Sequence, residues 1–234
     1  MKNILGIIPA RGGSKGIPRK NLYPLAGQPL IWYTFQAVRA STMLTRTILT
    51  TEDQEIAQYA MQQGVEVPFM RPLELAQDET PSLAVIQHAL HALAKDYVPD
   101  VVVLLQPTAP LRQGYHIDEA VRLLLDQNAE AVVSVSPIPV HYHPYWAFVL
   151  DEAHGMHPFD ERGGPQCYSR RQMLPPAYYR NGAVYVARRQ LIQEQHTLYG
   201  LHPFAYTMSP DVSVNIDSPE DIQAAEYFLM RAKR

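Results

Sequence analysis

The chain reads as an α/β protein built on a doubly wound, mostly parallel sheet that an inserted arm interrupts once. Three observations carry this. Over residues 1–135, short apolar runs alternate with helix-period segments, the pattern of parallel strands joined by crossover helices. A glycine-rich basic loop directly follows the first of those runs. Residues 136–180 then break the alternation before it resumes toward the C-terminus.

Taken in order, Ile4–Pro9 is a short buried strand, followed by ARGGSKGIPRKN from Ala10 to Asn21. A helix is expected over about 30–40 and a strand over 47–50. Residues 53–63 read as a helix, with Ile56, Ala57, Ala60 and Met61 on one face and Gly64 as terminator. Residues 65–67 read as a short strand. Thr80 and Pro81 form an N-cap and first-turn pair, opening a helix whose Leu83, Ile86, Leu90 and Leu93 share a face. Residues 101–105 are a buried strand running into the proline-punctuated QPTAP loop. Ile117, Ala120, Val121 and Leu124 mark another helix, and 131–135 another strand. After the arm, 182–187 and 212–216 read as strands, and Ser218-Pro219-Glu220-Asp221 is a strong helix start. Ligands of such sheets bind beyond the carboxyl ends of the strands. The chemistry is therefore expected in the loops after Pro9, Thr50, Leu105 and Ile216.

The interrupting segment holds 7 of the 20 prolines and 8 of the 22 aromatic residues, without simple periodicity. A loop of this length lacking its own structure is unusual inside a compact domain. Its aromatics are costly if left exposed together, so it reads either as an arm that packs against a second subunit or as a flap on its own domain. The whole chain, 1–234, is expected to be one domain carrying this arm.

Composition narrows the function classes. At 47% hydrophobic and 18% charged residues the chain is an ordinary globular protein. A formal net charge of −3 gives no basis for bulk nucleic-acid binding. No apolar run approaches the ~20 residues of a membrane span, and the N-terminus lacks a signal peptide's pattern. The single cysteine, Cys167, has no internal partner, which fits a reducing compartment. A cytoplasmic location is the expectation.

The loop residues are those a polyphosphate requires. Gly12 and Gly13 let the backbone approach a ligand, and successive N–H groups beside Arg11, Ser14, Lys15 and Lys20 form an anion-binding concavity. The glycine spacing matches neither a Walker A loop nor a GxGxxG fingerprint. The alternative is a solvated basic turn. Arg11 can fork two donors onto phosphate oxygens, whereas Lys20 is a point charge. A Mg²⁺ ion takes one or two carboxylates with phosphate and water. Asp217, just before the last helix, is the candidate ligand, with Asn215 two residues earlier on the same side; the competing reading is that Asp217 or Ser218 only caps the helix. Arg170 and Arg171 are able to grip a carboxylate bidentately or to lie at a surface or interface.

With these residues assembled, ARGGSKGIPRKN resembles the signature loop of the acylneuraminate cytidylyltransferases, the CMP-sialic acid synthetases. The likeness covers essentially the whole chain. Arg71-Pro72 with Glu74-Leu75-Ala76 and Asp78, Leu104-Leu105-Gln106-Pro107-Thr108, Asn181-Gly182-Ala183-Val184-Tyr185 and Ile216-Asp217 follow in the family's order. The related synthetases for ketodeoxyoctonate carry a different, Leu/Ser-containing loop. The resemblance implies a Rossmann-like nucleotidyltransferase fold and a reaction in which CTP and a 2-keto sugar acid give CMP-sugar and pyrophosphate with Mg²⁺. It implies Arg11, Ser14 and Lys20 on the triphosphate, with Gly12, Gly13 and Lys15 in the same loop, and Asn21 on the nucleotide. Arg71 and Ser82 would lie near cytidine, Gln106 and Asn181 at the sugar acid, and Asp217, with Asn215, at the metal. Arg171 matches an arginine that reaches the sugar carboxylate from a neighbouring subunit of a homodimer. Three departures stand out: Asn215 where the family often has an aspartate, Glu52 where an aspartate is common, and Trp146 and Tyr179 where sialate enzymes tend to have basic residues. His143-Pro144-Tyr145-Trp146 is closer to relatives acting on legionaminic-type acids. A cytidylyltransferase for ketodeoxyoctonate, or a nucleotide-binding protein without catalysis, are the alternatives.

Overall fold

The computed structural model describes residues 2–164 and 166–232. Its centre is a six-stranded sheet of β1 (Ile4–Pro9), β2 (Arg46–Thr50), β3 (Val101–Leu104), β4 (Ala131–Pro137), β7 (Tyr178–Arg188) and β8 (Phe204–Thr207), in the order β8-β4-β7-β3-β1-β2. β1 runs parallel to β2 and β3, and β8 parallel to β4. β7 is antiparallel to both β3 and β4 and is the one reversed strand of the sheet.

Alternation along β1 sends its side chains into two cores. Ile4 and Ile8 join Phe35 of α1 (Leu30–Ala40), Ile56 of α2 (Gln54–Gln62) and Ile117, Val121 and Leu124 of α4 (Gly114–Asp126). Leu5 and Ile7 face the opposite way, against Ile86 and Leu90 of α3 (Ser82–Leu93) and Leu191 and Ile192 of α5 (Arg189–Glu194). A third cluster matters for the site. Ile17 from the glycine-rich loop, Ile216, and Ala225 and Leu229 of α6 (Pro219–Ala232) are buried together, so the loop and the segment before α6 share one apolar anchor.

Four expectations need correction. Residues 65–67 form only an isolated bridge, Glu66 against Ile48. α3 starts at Ser82, and Pro81, with ψ 140°, is its N-cap rather than its first helical residue. Residues 212–216 are not a strand: Pro210–Val212 is a single 3₁₀ turn, and the extended stretch after it is held by Ile216 N–H donating to the Thr108 carbonyl at 2.7 Å. Its apolar/polar alternation reflects one face packed on α6, not a ladder. The last strand is instead Phe204–Thr207, a mostly exposed edge strand with weak patterning.

The arm rises from β4 and β7, whose ladder continues outward from Val135 opposite Arg180 to Pro137 opposite Tyr178. It carries a hairpin of β5 (Phe148–Leu150) and β6 (Met156–Pro158). Its interior is knit locally: the Trp146 indole donates to the Tyr168 carbonyl at 2.8 Å, and Tyr145 stacks on Tyr168 at 4.9 Å. Tyr142, Val149, Leu150, Met156, Phe159 and Met173 remain exposed. Among the described residues, no helix is long and apolar enough to cross a membrane.

Candidate active site

A cleft of about 290 Å³ opens beyond the carboxyl ends of β1 and β3. Arg11, Gly13, Ser14, Lys20, Asn21, Arg71, Ser82 and Gln106 all line it, so most residues singled out in the sequence converge on one surface. Three loops bring them there: the one after β1, the one that follows β2 and α2, and the one after β3.

The loop after β1 is shaped by close backbone approaches. A Cβ on Gly12 would collide with the Asp53 carboxylate, and one on Gly16 with the Asp217 carbonyl oxygen. Gly12 does not offer its N–H to the cleft; it donates to Glu52 Oε1 at 2.6 Å. Gly13 and Ser14 form the lining instead. Asn21 is buried and braces the loop, its amide donating to the Arg11 carbonyl at 2.8 Å. Arg19 pairs with Asp53 and Glu55 outside the cleft.

At the mouth, Arg11 and Lys15 both grip Asp78, at 2.7 and 2.9 Å. Lys15 first, then Arg11, hold the Asp78 carboxyl below its ordinary value. The loop thus binds an anion of its own chain where a polyphosphate would bring stronger ones. Deeper, the Lys20 ammonium donates to the Ile216 carbonyl and to Asp217 Oδ1, both at 2.9 Å, and its side chain is 15% exposed.

Asp217 does not cap α6 with its side chain. Asp221 does that work, accepting the N–H groups of Asp217 and Ser218 at 2.9 and 2.8 Å and the Ser218 hydroxyl at 3.0 Å. The Asp217 carboxylate, 68% exposed, points to Lys20 and accepts the Asn215 amide at 2.7 Å. The Asn215 Oδ1 atom is buried without a hydrogen-bond partner, close to Gly182, whose φ of +74° places it against both Asn215 and Gln106. Nδ2, not this oxygen, faces the Asp217 carboxylate. As placed, only Asp217 offers an accessible oxygen to a hard cation completed by a ligand's phosphates and water, and Asn215 would join it only with its amide turned. Among the described residues there is no group of three or more His, Cys, Asp or Glu to form a closed metal cage.

Of the predicted residues, Gly12, Lys15, Asn215 and Asp217 do not themselves line the cleft, though Lys15 and Asp217 pair with residues that do, and Asn181 and Arg171 fall elsewhere. Asn181 is buried, and its amide is fully used: Oδ1 accepts from Ser134 Oγ and Ala183 N–H, and Nδ2 donates to Ser213 Oγ and Met208 Sδ. It has no group left for a sugar acid and acts as a clamp between β4, β7 and the segment before α6. Arg171 sits in a one-turn helix of the arm, exposed; among the described residues, none from the arm lines the cleft.

Sequence reasoning missed Arg112. It is fully enclosed, donating to the carbonyls of Gln106 (3.0 Å) and Ala183 (2.8 Å) and to Thr34 Oγ1 (2.6 Å), and burial pushes its guanidinium down to about 9. It pins the backbone of Gln106. An arginine two residues after a proline in a loop gives no local sign of burial.

A family model described as cytidylyltransferase matches residues 5–232. The pseudaminic acid cytidylyltransferase of Campylobacter jejuni is 31% identical, over 97% of this chain and 95% of its own. The CMP-N,N'-diacetyllegionaminic acid synthase of Legionella pneumophila is 34% identical, over 97% and 96%. The N-acylneuraminate cytidylyltransferase of Streptococcus agalactiae is 31% identical over 92% of this chain, which spans only 50% of that relative's length. Among solved structures, a CMP:2-keto-3-deoxy-manno-octonic acid synthetase complexed with CTP superposes with a TM-score of 0.73 at 17% identity, covering 99% of this chain and 100% of that one. A 4-diphosphocytidyl-2C-methyl-D-erythritol synthase from Anaerococcus prevotii gives 0.66 at 14%, covering 98% and 97%. At those identities the two structures speak for the fold, which is that of nucleotidyltransferases. A sequence match across nearly the whole chain, on a sheet whose carboxyl edge gathers the cationic loop, makes this chain a member of the cytidylyltransferase family.

Proposed function

We propose that this protein transfers CMP from CTP to the anomeric hydroxyl of a nonulosonic acid, releasing pyrophosphate. The observation that carries the proposal is the convergence of Arg11, Ser14, Lys20, Arg71 and Gln106 on one cleft, with Asp217 held against Lys20. In the reaction the sugar hydroxyl oxygen forms a bond to the α-phosphorus, the bond from that phosphorus to the bridging α–β oxygen breaks to release pyrophosphate, and the hydroxyl proton passes to water. Charge collects on the departing pyrophosphate, where Arg11 and Lys20 are supplied to neutralise it. Arg71 and Ser82 hold the cytidine end, and Gln106 orients the sugar acid so that its hydroxyl lies in line. Asp217, joined by Asn215 once its amide turns its oxygen toward the carboxylate, would hold Mg²⁺, which would supply further neutralisation of the phosphates.

The sugar acid is proposed as a class. The relatives named above act, by their own names, on N-acylneuraminic, pseudaminic and diacetyllegionaminic acids at similar identities. We further propose a homodimer in which the arm covers the neighbour. The support is the set of exposed apolar residues on a self-knit arm, among them Val149, Leu150, Met156 and Phe159, together with the absence of Arg171 from the lining of its own cleft. We place the protein in the cytoplasm, where CTP is available.

The test is pyrophosphate release from CTP, UTP, ATP and GTP, each with sialic, pseudaminic, legionaminic and ketodeoxyoctonic acids and Mg²⁺. Turnover with CTP and a nonulosonic acid is expected. Turnover only with ketodeoxyoctonate would move the substrate class, and nucleotide binding without turnover for every pair would refute the enzyme reading.

A further inference from the structure

Glu52 stands two residues past the end of β2, at the carboxyl edge of the sheet, and takes no part in the proposed reaction. Its carboxylate is divided between two elements. Oε1 accepts the Gly12 N–H at 2.6 Å, and Oε2 accepts Arg71 Nη2 at 2.7 Å. The side chains of Glu52 and Arg71 are 11% and 3% exposed, so this pair is shielded from water on nearly all sides. Arg71 is fixed a second time through its backbone, whose N–H donates to the Thr51 carbonyl at 2.8 Å. Arg71 Nε is buried without a partner, so Glu52 is the acid that balances its charge.

We propose that Glu52 is a positioning residue for the nucleotide: its two oxygens lock the loop after β1 and Arg71 into one fixed relation, so that the triphosphate wall and the cytidine wall of the cleft are presented together. The inference rests on the cytidylyltransferase reading for what the cleft binds, but the brace itself is a matter of geometry. Removing one partner of a buried charge pair leaves the other charge uncompensated. The Glu52 pair is also chemically demanding. A carboxylate has two accepting oxygens and each is used by a different element. An amide has one accepting oxygen, so Glu52→Gln loses either Gly12 or Arg71 whichever way it turns. Glu52→Asp keeps the charge but is one methylene too short to reach both donors at these distances.

The test compares wild type, Glu52→Gln, Glu52→Asp, Arg71→Met and the Glu52→Gln/Arg71→Met double variant in steady-state kinetics over CTP, with thermal melts on the same preparations. Glu52→Gln is expected to raise KM for CTP by roughly tenfold or more, the loss typical of a hydrogen bond to a charged group. Its kcat at saturating CTP should change far less, and Glu52→Asp should lie between it and wild type. The double variant should be little worse than Arg71→Met alone, because the two residues act as one unit. An unchanged KM in Glu52→Gln, or effects that simply add in the double variant, would overturn the proposal. Amide hydrogen exchange of Gly12, read by ¹⁵N NMR, decides the matter without turnover. The Gly12 N–H should be protected in wild type and lose protection in Glu52→Gln or Glu52→Asp, whichever folds, and equal protection would overturn the brace. Should wild type turn over no nucleotide, the functional reading falls and this measurement still judges Glu52.

Discussion

Asp217→Ala and Asp221→Ala are expected to separate two jobs performed four residues apart. The Asp221 carboxylate satisfies the N–H groups of Asp217 and Ser218 at the start of α6, donors that the helix itself leaves unpaired. Removing such a cap costs about 1 kcal/mol. For a chain of this size that lowers Tm by roughly 2–4 °C. Asp217 holds no cap; it makes an exposed ion pair with Lys20 and accepts one amide from Asn215. Exposed pairs contribute little to stability, so Asp217→Ala should melt close to wild type. Its cost should appear in the rate instead, on the order of 10²–10³-fold in kcat if the carboxylate holds a metal against the transferring phosphate. Thermal melts and pyrophosphate release across a Mg²⁺ series, on the same preparations, measure both. The reasoning fails if Asp217→Ala melts as low as Asp221→Ala while keeping wild-type rate and metal dependence. Burial alone would raise the Asp221 carboxyl, yet the N–H groups of Asp217 and Ser218 outweigh it and hold the group below its ordinary value. The cap's stabilisation is therefore present above the ordinary carboxylate range and lost as pH falls through the lowered folded-state value, so the acid limb should flatten in Asp221→Ala.

Arg11→Ala and Lys20→Ala should each reduce turnover with CTP by about 10²-fold. Only Lys20→Ala should also lower Tm, because its ammonium fastens the Ile216 carbonyl while Arg11 reaches the exposed rim; near-wild-type turnover in both variants would exclude this loop as the phosphate site. Mixing Arg171→Ala with Lys20→Ala under subunit exchange should restore partial activity, since each mixed dimer would hold one intact shared site; a monodisperse, fully active monomer in solution would refute the arm's role. Burial pushes the His116 imidazole from its ordinary 6.5 down to about 4, where its Nδ1 accepts the Gln113 N–H at 2.9 Å. The unfolded chain therefore binds the extra proton between those values, and stability should fall as pH drops from about 6.5 toward 4, by up to about 3 kcal/mol. Urea denaturation across that range should show a shallower slope for His116→Gln; equal slopes would refute it.

Much of the fold was legible because strand and helix periods are local properties. The 30–40 helix, the strands at 4–9 and 101–105, and the 53–63 helix with Gly64, at φ +73°, as terminator appear as read to within a residue or so, Asp53 proving to be the helix's side-chain cap rather than its first residue. The glycine-rich loop was legible for the same reason: its requirements fit within a dozen consecutive residues. What failed were readings that needed a partner. Residues 212–216 alternate like a strand, but alternation records only that one face is buried, and α6 rather than a neighbouring strand buries it. Phe204–Thr207 pairs only with β4 at the sheet edge, and so carried too little apolar pattern to be seen.

The same division runs through the site. By itself the sequence determined that a cationic, glycine-rich turn follows the first strand and that an acid precedes the last helix, since each is a short motif whose chemistry is written in adjacent residues. Only the tertiary structure decided how these are used. Gly12 gives its N–H to Glu52 and not to the cleft, Asn181 is spent on a buried clamp, and Arg112 is drawn inside to hold Gln106. A hydrogen-bonding group has a limited number of partners, and which ones claim Gly12, Asn181 and Arg112 depends on atoms brought near from 40, 32 and 71 residues away along the chain. That competition for donors and acceptors is settled by packing, and no local stretch of sequence contains it.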